Sequence, residues 1–179
     1  MKQWKNTEHR EFIIELVRLF EPHTYAEIGV KRGYVFNAVA PLVKRAIAVD
    51  IADMGRISDL PGVEKYQMKS SEFAYIWHDP IDLLFIDADH RDWAVLADIF
   101  RLAKFVRDET GLILLHDTFP VDPKLLADGY CSNAWKAARH IHLKRRHLFE
   151  IVTLPGPWAG LSIMRKAARH GWMEDNDTA

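Results

Sequence analysis

Tyr25-Ala26-Glu27-Ile28-Gly29-Val30-Lys31-Arg32-Gly33 decides how the rest of the chain is read. From Thr24 to Val30 the residues are mostly apolar, β-branched at the end and interrupted by one acid, and a helical pattern resumes after Gly33. The segment therefore reads as buried strand, tight turn and helix. Gly29 and Gly33 can take positive φ and let a ligand lie against backbone that a side chain would cover. A second apolar run, Arg45 to Asp50, closes on a carboxylate at roughly the offset where a βαβ unit places an acid on ribose hydroxyls. A glycine turn with a delayed acid predicts a nucleoside ligand. The third glycine of the dinucleotide fingerprint is missing, and Glu27 would repel a pyrophosphate, so the ligand expected here carries a cationic head.

Outward from that stretch, Glu8 to Leu19 sets Phe12, Ile13, Leu16, Val17 and Leu19 or Phe20 at helical spacing, and Pro22 ends the helix. Val35 to Val43 predicts a short helix. Ala52 to Gly62, with Asp53, Gly55, Ser58 and Pro61, is closer to a loop with a stunted helix than to a crossover helix. Val63 to Lys69 is a third strand, and Ser70-Ser71-Glu72 makes an N-capping turn before a helix to Trp77. Ile81 to Asp87 is the clearest strand. A helix over Trp93 to Val106 follows, then a strand over Gly111 to Leu115 leading into His116-Asp117-Thr118. Pro120 to Tyr130 is loop-like, and Asn133 to His147 is a helix with a basic far end. The strands Phe149 to Leu154 and Gly160 to Met164 are joined by Pro155-Gly156-Pro157-Trp158-Ala159, a link that permits only antiparallel pairing. Five strands alternating with helices, then a closing hairpin, predict an α/β fold: a doubly wound seven-stranded sheet, mostly parallel, with a C-terminal antiparallel hairpin and helices on both faces. The expected organisation is one domain over 1–179, with an N-terminal helix in 1–22, a core over 24–166 and a polar, frayed tail over 167–179.

Hydrophobic residues make up 49% of the chain and charged ones 27%, a globular composition, and a net charge of -1 offers no field for a polyanion, so no nucleic-acid partner is expected. Met1-Lys2-Gln3-Trp4-Lys5 lacks an apolar signal core and no apolar run reaches spanning length, which predicts a cytoplasmic protein without a membrane partner. Cys131 is the one cysteine, so an internal disulfide and a cysteine metal cluster are excluded, and it reads as a small residue beside a helix start. Trp158 and the apolar face near the hairpin admit a homodimer, with core packing the alternative.

Ligands of such sheets bind beyond the carboxyl ends of the parallel strands, where Glu27, Asp50, Ser70, Asp87 and Asp117 all fall. Asp87 and Asp117, at adjacent strand ends, repel each other unless positive charge sits between them.

The Glu27-x-Gly29-x-x-x-Gly33 pattern resembles the first motif of the class I AdoMet-dependent methyltransferases, a Rossmann-like fold with the same terminal hairpin. Ile81-Asp82-Leu83-Leu84-Phe85-Ile86-Asp87-Ala88-Asp89-His90 and Gly111-Leu112-Ile113-Leu114-Leu115-His116-Asp117-Thr118 are similar to its small-molecule O-methyltransferase branch, which includes catechol O-methyltransferase. The resemblance implies S-adenosyl-L-methionine (AdoMet) as donor, with Glu27 and the backbone at Gly29 on its amino-acid end and Gly33 permitting close helix packing. It further implies Asp50 on the ribose, Ile51 beside the adenine, Ser70 or Ser71 near the adenine edge, and Asp87 at both the donor and the reacting centre. Asp87 and Asp117 would hold Mg2+, with His116 and Thr118 as neighbours; Thr118 stands where that family has Asn. His90 occupies the position of the family's lysine base, with His116 the competing candidate, and an imidazole at its ordinary pKa can accept a hydroxyl proton at neutral pH. The implied reaction moves a methyl group to a small-molecule hydroxyl, with sugar, phenol and amine acceptors all open. The rival readings are a non-catalytic AdoMet- or nucleoside-binding protein and, disfavoured by the missing glycine, a nicotinamide-dependent oxidoreductase.

Overall fold

Alternation along β1 (Thr24–Ile28) sends Ala26 and Ile28 to one side of a sheet and Tyr25 and Glu27 to the other, and all five residues are buried. The computed structural model of the chain describes residues 8–155 and 159–167. In it β1 pairs in parallel with β2 (Arg45–Asp50) and β4 (Leu83–Ile86), β2 with β3 (Val63–Gln67), and β4 with β5 (Leu112–His116). β7 (Leu161–Lys166) runs antiparallel to both β5 and β6 (Phe149–Leu154). The seven strands lie in the order β3-β2-β1-β4-β5-β7-β6, so the chain reverses direction beside β1 and opens a crevice at the strand tips.

One face of the sheet packs on α3 (Ser70–Ile76), α4 (Asp92–Leu102) and α5 (Ala134–Lys144), with Phe73, Ile99 and Ile141 against Ile47, Leu84 and Ile113. Burying each such side chain contributes about 1.5–3 kcal/mol. On the other face α1 (Glu8–Phe20) and the single turn α2 (Phe36–Val39) bring Ile13, Val17 and Phe36 onto Tyr25, Phe85 and Leu114.

Helix ends depart from the sequence pattern. The helix expected over Val35 to Val43 is α2 followed by a 3-10 turn at Ala40–Leu42, because Pro41 offers no backbone donor. The one expected to reach Val106 stops at Leu102 before a 3-10 turn at Ala103–Phe105, and the one expected to reach His147 stops at Lys144. Residues 51–62 form no helix at all; Met54 and Ile57 pin this loop into the core, while Asn37 donates to the Arg56 carbonyl at 2.9 Å and accepts from the Ser58 N–H at 2.9 Å. Within Pro120 to Tyr130 a 3-10 turn forms at Pro123–Leu126. The expected capping turn also shifts by one residue: Lys69 is the N-cap of α3 and the Glu72 carboxylate takes its N–H at 2.9 Å, which frees the Ser70 hydroxyl for Asp98 at 2.6 Å. Trp158, most of the hairpin link and most of the expected tail lie outside the described residues.

Candidate active site

Strand tips place every charged group of the crevice. Gly29 follows β1 with φ +91, and a Cβ there would lie 2.3 Å from the Asp87 carbonyl oxygen, so the glycine makes room for the exit of β4. Asp50 ends β2 and ties the turn down. Its Oδ2 accepts the Lys31 N–H at 2.7 Å and its Oδ1 the Ala52 N–H at 2.8 Å, leaving the remaining lone pairs for a ligand. Ile51 beside it is 71% exposed, an uncovered apolar surface at the crevice rim. Ser71 is exposed, and the Ser70 hydroxyl already serves Asp98.

Glu27 is 3% exposed and accepts the Tyr25 hydroxyl at 2.5 Å. Burial pushes its carboxyl up to about 8; the Tyr25 hydrogen bond opposes this, and the charges of Asp87 and Asp50 add to it. A buried acid with so high a proton affinity favours a cation beside it.

Asp87, Asp117 and His116 form one cluster whose facing ligand atoms all lie within 4.8 Å of one another. Asp117 has φ +60, a left-handed backbone that aspartate tolerates at some strain and that turns its carboxylate back over β5. His116 Nδ1 stands 3.2 Å from Asp87 Oδ1 and 3.1 Å from Asp117 Oδ1, ion-pair distances without the alignment of a hydrogen bond. His90 bridges the same two acids from the opposite side: Nε2 is 3.3 Å from Asp87 Oδ1, and Nδ1 is 3.1 Å from Asp117 Oδ2 and also meets the Tyr130 carbonyl oxygen. Burial works against charge on these imidazoles. The carboxylates win, lifting His116 to about 10 and His90 to about 9. Burial likewise opposes ionisation of Asp87, but the two histidines hold it well below the usual carboxylate range.

The sequence-predicted residues Glu27, Gly29, Asp50, Ile51, Asp87, His90, His116 and Asp117 thus share one end of the sheet. Gly33 lies beneath them with φ +73, its missing Cβ leaving space for Asn37 and Ile57. Thr118 is buried and accepts the Ser162 hydroxyl at 2.9 Å, in a chain of hydroxyls that continues to Thr153. Two contacts were not foreseen. Cys131, expected as a plain small residue, donates its thiol to Asp117 Oδ1 at 3.4 Å. His9 of α1 packs against His116, with ring centroids 4.3 Å apart and the rings tilted by 43°. The signal for His9 was present, since it begins the apolar stripe that continues through Ile13, Leu16, Val17 and Phe20.

The strand order, the reversed β7 and an acidic crevice at the parallel strand tips define the fold of the class I methyltransferases. A family model described as a methyltransferase domain matches residues 26–118, just over half of the chain, and the chain belongs to that family. Its structure is similar to that of the methyltransferase PaMTH1 of Podospora anserina, solved with S-adenosylhomocysteine (TM-score 0.75, 16% identity, covering 93% of this chain and 81% of that one). It is also similar to the O-methyltransferase TomG of Streptomyces achromogenes, involved in tomaymycin synthesis and solved with AdoMet (TM-score 0.66, 15% identity, 93% and 82% covered). An rRNA methylase from Streptococcus thermophilus shares the fold as well (TM-score 0.64, 12% identity, 94% and 99% covered). No curated protein matches in sequence. No helix among the described residues is long and apolar enough to cross a membrane.

Proposed function

We propose that this chain transfers the methyl group of AdoMet to a hydroxyl of a small-molecule acceptor, with a divalent ion at Asp87 and Asp117. The observation that carries the proposal is the meeting, at the tips of β1, β2, β4 and β5, of a buried proton-hungry carboxyl with a carboxylate whose lone pairs face outward and a pair of aspartates. Glu27 suits the donor's ammonium group and Asp50 its ribose hydroxyls, since one carboxylate accepts two hydrogen bonds side by side.

The residues present fit an ion: two carboxylates converge, and only imidazoles now offset their repulsion. Such an ion supplies Lewis acidity toward the acceptor oxygen. His90 is the base. Its neutral form takes the acceptor's proton as the oxygen bonds to the methyl carbon; the S–CH3 pair stays on sulfur, leaving a neutral thioether. Asp87 and Asp117 hold the imidazole in place and set how readily it gives up its own proton beforehand. The crevice does the rest by alignment, because in-line displacement gains most from orientation.

Calorimetry with AdoMet, S-adenosylhomocysteine and NAD tests the donor. The expected result is heat with the first two and none with NAD, and an Asp50→Ala variant that binds AdoMet about tenfold or more weaker, given about 1.5–3 kcal/mol for a hydrogen bond to a charged group. Equal binding by parent and variant would sink the donor assignment.

A further inference from the structure

We propose that Asn133 is a positioning residue for the base. By bonding Asp92 at the start of α4 it holds Tyr130 and Cys131 in place, so that the Tyr130 carbonyl pins His90 by Nδ1 and leaves Nε2 to take the acceptor's proton. The inference rests on the reading above that His90 is that base.

Asn133 stands at the N-cap of α5, where an amide side chain ordinarily accepts an N–H of its own helix, yet it makes no such bond there. It turns to the neighbouring helix instead. Its Oδ1 accepts the Asp92 N–H at 2.7 Å and its Nδ2 donates to Asp92 Oδ1 at 3.1 Å, while Arg91, the N-cap of α4, gives that helix no side-chain bond of its own. This reciprocal pair fastens two segments together. One carries His90 just before Asp92, and the other carries Tyr130 and Cys131 just before Asn133.

Both segments meet at the base. The Tyr130 carbonyl oxygen lies on His90 Nδ1, and the Cys131 thiol donates at 3.4 Å to Oδ1 of Asp117, whose Oδ2 is 3.1 Å from the same Nδ1. A carbonyl oxygen can only accept, so Nδ1 keeps a proton. In the neutral ring the lone pair therefore falls on Nε2, which lies on the Asp87 side, 3.3 Å from Oδ1. The backbone between these contacts is strained: Ser132 has φ +45, a left-handed conformation that persists where the surroundings impose it. Asn133 imposes it from one side. Cys131 does so from the other, buried against Leu125 and Ala159 with its N–H on the Leu125 carbonyl at 2.9 Å.

The test is the exchangeable Nδ1–H resonance of His90 in the isotope-labelled full chain, identified by its loss in His90→Ala. It is read together with S-adenosylhomocysteine formed from AdoMet, with dihydroxybenzoate as the acceptor probe. The parent is expected to show a low-field, slowly exchanging Nδ1–H. Asn133→Ala is expected to lose it to solvent exchange and to cut kcat about 10- to 100-fold, with the KM and calorimetric affinity for AdoMet unchanged, as for a slightly misplaced reacting group. Asn133→Asp combined with Asp92→Asn rebuilds the pair with donor and acceptor exchanged. This double variant is expected to restore the resonance and to bring kcat within about threefold of the parent, and it serves where Asn133→Ala fails to fold. A retained Nδ1–H or a parent kcat in Asn133→Ala, or a folded double variant that still lacks the resonance, overturns the inference. The resonance decides even where the probe is not turned over. Unchanged turnover in His90→Ala would sink the base reading itself, a failure told apart by a resonance that still answers to Asn133.

Discussion

The two ends of the same parallel strands treat charge in opposite ways. At the amino ends each acid meets a permanent cation or a backbone N–H. Asp82 accepts the Thr24 N–H at 2.8 Å and Arg107 Nε at 2.5 Å, while Arg45 bonds Glu64 and Asp79 at 2.5 Å and stacks on Trp77. At the carboxyl ends Glu27, Asp87 and Asp117 face one another with only a tyrosine, a cysteine and histidines between them. One end is self-sufficient. The other balances its acids with titratable groups, Tyr25, Cys131, His90 and His116, whose place a cationic ligand can take.

Substitutions at the two ends should therefore separate function from stability. The largest effect is expected for His90→Ala, which removes the base: turnover falls about 10²–10⁴-fold while AdoMet affinity by calorimetry stays within about threefold. Equal turnover would take His90 out of the chemistry.

Next comes Glu27. In the unfolded chain it ionises near 4.5 and in the fold near 8, so its contribution to stability is full below about pH 4.5 and is lost as pH rises through about 8. Glu27→Gln, measured by urea unfolding, should match the parent at about pH 5 and exceed it by ~2–4 kcal/mol near pH 9, at the price of donor binding. A gap that does not widen with pH would show that the carboxyl ionises normally.

At the amino end Asp82→Ala strands the Thr24 N–H and should lose about 1–3 kcal/mol of stability with unchanged AdoMet affinity. A weakened affinity would mean that the two ends are coupled. The smallest effect is expected at Arg165 and Glu150, a cross-strand pair with side chains 41% and 51% exposed. Arg165→Ala should shift stability by less than about 0.5 kcal/mol and leave activity alone, and a larger loss would show that the β6–β7 edge holds the fold more tightly than an exposed pair allows.

Much of this contrast was legible beforehand because it is local. Arg45–Asp50 and Phe149–Leu154 are strands at the bounds their residue types predict, and acids at strand exits follow from alternation and length alone. Helix ends were less legible. The stop at Leu102 and the cap at Lys69 depend on which neighbour satisfies the last free N–H or C=O groups, and for α3 Glu72, inside the expected turn, and Asp98, on α4, settle that. The site divides in the same way. Asp87, His90, His116 and Asp117 were picked out by motif, yet that His90 bridges both acids while Thr118 is bonded to Ser162 is a matter of distances between loops.

The amino-acid order by itself determined the alternation of strands and helices, the single reversed strand and the acids at the ends of β1, β2, β4 and β5, since these depend on periodicity and turn residues a few positions apart. Only the folded chain decided the β3-β2-β1-β4-β5-β7-β6 order, the proton affinities of Glu27 and His90, and the seating of His9 on His116. Those depend on burial and on charges brought together from distant segments, and no local pattern carries either.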